Sequence, residues 1–263
     1  MSNDSIDKKD NELISLDELC KSLPEDLNGF RIEELNWHAF RENAEQPGEL
    51  TYRVTDRLLT QCEKLFGGFN GKRLLELGPF EGEHTLGLSK MSPRELIAIE
   101  ANPYNYFKCM IIKQHFKLDN AKILLGDFVK YLEAEKEKFD FILVAGVLYH
   151  LSEPIRTLDL VLERTNAIGI CTTVYAQDDC PFNLTGATRE VELPGQEPIV
   201  LYERTNSLIA KGRKHGIGES AWMFSEVDLK RYLESKGWEF EIFPYIRNPK
   251  GGPRSRLFAR NKT

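Results

Sequence analysis

With 263 residues, 41% of them apolar, the chain is long enough for one α/β domain with embellishments that buries its own core, so neither disulfides nor a structural metal is required. Its five cysteines (Cys20, Cys62, Cys109, Cys171, Cys180) are odd in number, scattered and free of any Cys-x-x-Cys pair, which argues against a disulfide framework or a zinc site and suits a reducing cytoplasm. A net charge of −6 without a dense basic patch argues against a dedicated nucleic-acid binder, and no apolar run approaches the roughly 18 residues of a membrane span, so a soluble protein is expected.

The first fifty residues hold five Lys/Arg against thirteen Asp/Glu, an acidic head, whereas from Arg204 onward thirteen basic residues face six acidic ones. Head and tail attract each other, or the tail forms a basic rim for an anionic acceptor. The polar start does not read as a signal peptide, and residues up to about Asp10 are expected to be disordered. Ser15-x-x-Glu18 resembles a capping box for a weak helix over 15–23 that Pro24 closes. Trp37, His38 and Phe40 stand at helical spacing and read as a staple packing an accessory helix onto the domain. Tyr52, Val54, Leu58, Leu59 and Leu65 make an amphipathic helix ended by Gly67-Gly68. Residues 1–66 therefore read as an acidic extension with lid helices, and 67–263 as the main domain.

The run Arg73-Leu-Leu-Glu-Leu-Gly-Pro-Phe-Glu-Gly-Glu-His-Thr85 reads as a buried strand, a glycine turn and a helix through Thr85, Leu86 and Leu88. Glycines at such a turn let a ligand approach the backbone while the new helix offers free N–H groups. A dinucleotide fingerprint needs Gly-x-Gly-x-x-Gly for its pyrophosphate, and here the spacing is Gly78-x-x-x-Gly82. Met91-Ser-Pro-Arg94 turns into Leu96-Ile-Ala-Ile-Glu100, a second strand ending on an acid placed to accept from both hydroxyls of a ribose. Asn102-Pro103 starts a helix through Tyr106, Phe107, Met110, Ile111 and Gln114. A third strand, Ala121-Lys-Ile-Leu-Leu125, ends in Gly126-Asp127-Phe128, and a charged surface segment covers 130–138. A fourth, Phe139-Asp-Phe-Ile-Leu-Val144, runs into Gly146-Val-Leu-Tyr-His150. A fifth, Ile168-Gly-Ile-Cys-Thr-Thr-Val174, leads into a long excursion over 175–225 whose apolar content predicts a folded cap. A helix ending at Gly237 and a hairpin of Glu239-Phe-Glu-Ile-Phe243 with Arg256-Leu-Phe-Ala259 close the chain.

Glu76, Gly78, Gly82 and Thr85 resemble motif I of the class I S-adenosylmethionine-dependent methyltransferases. The Gly146-Val-Leu-Tyr-His150 segment with Pro154 is similar to the subgroup that includes the tRNA wobble-uridine carboxymethyltransferases. The resemblance covers roughly 71–176, more loosely 222–259. It implies an α/β Rossmann-like three-layer sandwich with a mostly parallel seven-stranded sheet, and S-adenosyl-L-methionine as cofactor. It assigns the cofactor to Glu76, Gly78, Phe80, Gly82, Thr85, Glu100, Ala101, Asp127, Phe128 and Gly146, with Asp127 at the adenine amine, Phe128 on its ring and Tyr52 as a lid. His150 is then the candidate base and Tyr149 orients the acceptor, although His150 also reads as a structural histidine. Tyr175, Trp222 and Arg254 are candidate acceptor walls. Asp178-Asp179 lacks a third oxygen ligand, so no metal is expected. Methyl transfer to a small-molecule acceptor is the leading reading. Carboxymethyl transfer to a tRNA wobble uridine and a non-catalytic cofactor-binding module are the alternatives.

Overall fold

The computed structural model describes residues 14–15, 37, 40–42, 50–52, 57–175, 184–205, 220–248 and 252–261. The N-terminal part departs from the helices expected there: β1 (Ile14–Ser15), β2 (Phe40–Glu42) and β3 (Leu50–Tyr52) form a small antiparallel sheet in the order β1-β3-β2. Tyr52 is thus a strand residue, paired with Ile14 and Phe40, because a spacing of a few apolar residues fits a short strand as well as a helix. The rest of the predicted helix over 15–23 lies outside the described residues.

Helix α1 (Arg57–Phe66) ends at Gly67 and Gly68, both in the left-handed region, as the glycine pair predicted. Its Leu59 and Cys62 are buried in one cluster with Leu74, Phe141 and Phe258. Alternation of β4 (Arg73–Leu77), α2 (Glu83–Lys90), β5 (Glu95–Glu100), α3 (Pro103–Phe116), β6 (Ala121–Leu125), α4 (Phe128–Ala134), β7 (Phe141–Ala145), α5 (Pro154–Arg164) and β8 (Ala167–Thr173) builds a parallel sheet. The excursion folds as β9 (Leu184–Val191), β10 (Ile199–Thr205) and β11 (Ser220–Phe224), a separate antiparallel sheet and the cap foreseen for it. After α6 (Glu226–Ser235), β12 (Trp238–Asn248) and β13 (Gly252–Asn261) return as an antiparallel hairpin against β8.

The main sheet has the order β12-β13-β8-β7-β4-β5-β6. Chain order reverses beside β4, and in such sheets the crevice outside the carboxyl ends at that reversal is where ligands bind. Strands covered on both faces need no apolar alternation, and β4 is buried at all five positions. Successive residues serve opposite layers: Leu75, Leu77, Ile97, Ile99, Ile142 and Val144 join one apolar cluster, while Leu74, Leu96, Phe141 and Leu143 join the other.

The amino end of β4 is anchored by Arg73, a nearly buried guanidinium that bonds Glu95 Oε2 at 2.7 Å and Glu135 Oε2 at 2.8 Å and lies 4.1 Å from the centre of the Phe139 ring. The Arg73 hydrogen bond holds the Glu135 carboxyl down at about 2. A depressed carboxyl contributes stability that is present above its ordinary value and lost as pH falls through the folded one. Arg73→Met is therefore expected to lose about 3 kcal/mol at neutral pH. In urea titrations its stability should also fall less than that of the parent between pH 4.5 and 2.

Candidate cofactor and acceptor site

At the end of β4 the chain turns through Gly78 (φ 64°), Phe80 (φ 59°) and Gly82 (φ 81°). At Gly78 the constraint is double: the backbone is left-handed, and a Cβ would stand 2.9 Å from Val147 Cγ2. Phe80 has no such freedom, and an aromatic residue in this region is strained. Its N–H donates to Glu100 Oε2 at 2.9 Å, and its carbonyl accepts from Cys109 Sγ at 3.3 Å. Glu100 Oε1 accepts from Asn102 N at 2.9 Å, and the Asn102 side chain in turn caps α3 by accepting from Tyr104 N and Asn105 N. Burial pushes the Glu100 carboxyl up, while these backbone N–H groups favour its charged form. Glu100 thus stands at the end of β5 with its neighbour Ala101 half-buried, where the ribose was expected.

Glu76 is 1% exposed. Its Oε2 accepts from Thr85 Oγ1 at 2.6 Å, while Oε1 has no hydrogen-bond partner among the described residues and lies 3.8 Å from His84 Nδ1. Burial pushes its carboxyl up to about 7, against the pull of His84 and Thr85. A buried acid with an open oxygen beside a glycine turn suits a cationic group such as an ammonium. At the end of β6, Asp127 caps α4 by accepting from Val129 N at 2.8 Å through Oδ1. Phe128, the residue expected on the adenine ring, is 8% exposed and packs in the core with Leu132. Leu125, 50% exposed and in register with Glu100, is the apolar surface at that strand end, and its residue type alone did not mark it out. Gly146 (φ 75°) donates its N–H to Cys171 O at 2.7 Å, and Tyr149 Oη lies 3.7 Å from where its Cβ would be.

Beyond β7 a 3₁₀ turn (Leu148–His150) carries Tyr149 and His150, their rings 4.2 Å apart. The cap sheet is tied to this turn, since Trp222 N donates to Leu151 O at 2.9 Å. From β10 comes Arg204, 1% exposed, with Nη2 3.5 Å from His150 Nδ1 and its guanidinium 5.6 Å from the centre of the Tyr149 ring. Strand alternation from buried Leu201 would put residue 203 inward, but the register with β9 slips between Tyr202 and Arg204, and Arg204 is the buried one. A bulge of this kind leaves no mark in the sequence, so Arg204 went unnoticed there. The guanidinium thus lies at the edge of hydrogen-bonding distance from His150 Nδ1.

Tyr175 stacks on Tyr202 with ring centroids 3.6 Å apart and planes 10° apart. Trp222 is half-buried, and one face of its ring is covered by the Arg189 guanidinium at 4.6 Å, itself bonded to Glu153 and Ser152. Trp222 is therefore a packing residue at the cap and turn junction, with less open surface than expected of an acceptor wall. Arg254 pairs through its backbone with Thr173 at the carboxyl end of β8, and its side chain, like that of Tyr52, lies outside the described residues. Asp178 and Asp179 lie outside them too.

The Glu76 geometry carries a test. A carboxyl raised by burial contributes stability that is fully present below its ordinary value and lost as pH rises through the folded value near 7. Glu76→Gln should therefore flatten the stability profile of the cofactor-free protein between pH 4.5 and 7 and, at pH 8, be more stable than the parent by up to a few kcal/mol. Urea titration at several pH values measures this, and a variant no more stable at pH 8 would refute the buried-charge account.

No family model matches the chain. Among curated proteins it is similar to the tRNA U34 carboxymethyltransferase of Desulfotalea psychrophila, 27% identical over 144 residues, which are 54% of this chain and 44% of that protein. The enzyme of the same name from Aliarcobacter butzleri is 30% identical over 98 residues, 37% of this chain and 32% of that one. The chain matches less than half the length of these relatives. Among solved structures, the N-terminal domain of EvdMO1, crystallised in the presence of SAH and D-fucose, superposes with a TM-score of 0.62 at 18% identity, covering 91% of this chain and 98% of that domain. Magnesium protoporphyrin IX methyltransferase (ChlM) from Synechocystis PCC 6803 with bound SAH superposes at 0.52 and 11% identity, covering 78% and 83%. The chain has the Rossmann-like α/β fold of the S-adenosylmethionine-dependent methyltransferases, with a mostly parallel seven-stranded sheet.

Proposed function

We propose that this chain is an S-adenosylmethionine-type transferase and that, of the readings open from its sequence, carboxymethyl transfer to a tRNA wobble uridine is the best supported. The names of the curated relatives favour that acceptor over the small molecule preferred from the sequence. The observation within the chain that carries the reading is Arg204. A buried guanidinium beside Tyr149 and His150 suits a donor that bears an extra carboxylate.

The residues present fit an adenosyl sulfonium cofactor. Glu76, Glu100 and Asp127 make the strand ends acidic, and Lys108, beside the glycine turn, is bonded to Glu81. Such a lining suits an ammonium and a sulfonium and repels a pyrophosphate. Glu100 would hold the ribose, Asp127 the adenine amine and Glu76 the ammonium. When bound, the cofactor supplies an activated carbon whose sulfur departs as a neutral thioether. What the protein then has to do is align the acceptor and exclude water. Tyr149 offers a hydroxyl at Gly146 to orient the acceptor, and His150, beside Arg204, is the candidate to take the acceptor's proton.

A second reading, methyl transfer to a small acceptor, is favoured by the Trp222–Leu151 hydrogen bond that draws the cap sheet onto the acceptor turn. The two are separated by incubating the protein with S-adenosylmethionine or its carboxylated form, with tRNA lacking the wobble modification, and weighing the digested nucleosides. A carboxymethyl gain on uridine supports the reading; turnover with the methyl donor alone, or none on tRNA, overturns it. Calorimetry with SAH should give micromolar binding, about −8 kcal/mol, with no competition from NADH. Arg204→Met should weaken the carboxylated donor roughly 10–100-fold and leave SAH binding unchanged.

A further inference from the structure

The glycine turn is gripped from outside by an ion pair that the proposed chemistry does not use. Glu81 and Lys108 are 1% and 2% exposed, and Lys108 Nζ lies 2.6 Å from Glu81 Oε1. Around the ammonium stand Tyr104 at 4.9 Å, Trp37 at 5.4 Å and Phe80 at 5.9 Å. A cation boxed by rings and closed by a carboxylate is held in one place. Glu81 belongs to the turn and Lys108 to α3, and Trp37 comes from the N-terminal segment, so three parts of the chain meet at one charge.

Several contacts run along the same face of α3. Residues 105, 108, 109 and 112 form a stripe at helical spacing. Of these, Lys108 bonds Glu81, Cys109 donates to the Phe80 carbonyl, and a Cβ at Gly82 would stand 3.6 Å from Ile112 Cγ2 and 3.8 Å from Cys109 Sγ. Between the two glycines sits Phe80, strained at φ 59°. A strained residue persists only where its surroundings over-determine it. A buried ion pair, moreover, adds little stability over an apolar replacement, and its best-attested role is to specify geometry.

We propose that Lys108 and Glu81 are positioning residues that lock the 78–82 turn in its ligand-ready shape before the cofactor arrives, with Trp37 sealing the pair from water. The proposal rests on the turn being the cofactor site. It accounts for a charge pair being kept where apolar side chains would fit, and for an aromatic residue in a glycine-like conformation. Neither side chain needs to touch the cofactor, because each acts through the backbone of the turn.

The double variant Lys108→Met/Glu81→Met separates positioning from bulk stability, since a thioether suits the aromatic box and no charge is left buried alone. The expected result is a thermal midpoint close to that of the parent, amide exchange at 80–83 faster by about tenfold, and SAH affinity in calorimetry weaker by about tenfold. Parent-like exchange and affinity at a restored midpoint would overturn the proposal, as would losses spread evenly over the whole sheet. Should the double variant fail to fold, Trp37→Leu replaces it: faster exchange at 80–83 with unchanged exchange in β4 and β5 supports the proposal, and unchanged exchange at 80–83 overturns it. If the parent protein binds no SAH, the cofactor reading fails, while the exchange comparison still decides the role of the pair.

Discussion

The Glu100 carboxylate joins the three pieces from which the site is made. One oxygen takes the Phe80 N–H from the glycine turn, and the other takes the Asn102 N–H at the start of α3. Strand β5 supplies the carboxylate itself. Because a buried acid is costly unless it is bonded, the turn and the helix start are compelled to bring their donors to it. That requirement holds Phe80 in a backbone region an aromatic residue would otherwise avoid, and it sets the direction in which α3 leaves the sheet. The same acid stands where a ribose would meet the strand end, so what folds the turn also shapes the cofactor face.

Acids gather along this edge for a related reason. Glu76 sits deeper than Glu100, with Thr85 on one oxygen and His84 near the other. Each raises the cost of ionising the other, and Glu100 is among the causes that push Glu76 up. A crevice lined in this way is electrostatically tense without a cation, and a ligand bringing an ammonium would relieve it. Across the sheet end the sign reverses at Arg204, which is carried by the cap and not by the parallel sheet. The two sides thus differ in charge, with acids on the strand ends and a guanidinium on the cap.

Among the described residues, the cap is joined to the turn at Tyr149 and His150 by contacts from β10 and β11. Its strand β11 reaches Leu151 through one backbone hydrogen bond, and Arg189 fastens Trp222 to Glu153 and Ser152. These contacts lie at 151–153, immediately after Tyr149 and His150. Any shift of the cap therefore moves Tyr149 and His150, and Arg204 shifts with them.

Much of the parallel sheet was legible in the sequence because its signals are local. Apolar runs of five or six residues bounded by glycine or acid specify strands covered on both faces, and Asn102-Pro103 or Gly67-Gly68 mark helix ends by their own backbone preferences. The strand-end residues Glu76, Gly78, Gly82, Glu100 and Asp127 could be named for the same reason, since their positions follow from where each run stops. The N-terminal strands were missed because two or three residues carry too little periodicity to separate strand from helix. That Phe128 packs into the core follows from tertiary contacts, because sequence gives no direction to a side chain at a helix start. Arg204 beside His150 and Lys108 beside Glu81 depend on which elements pack together, across 54 and 27 residues of chain. Local pattern determined the strands, their ends and the acids that stand there, whereas only tertiary packing decided which buried charges face one another, because no local rule relates residues so far apart.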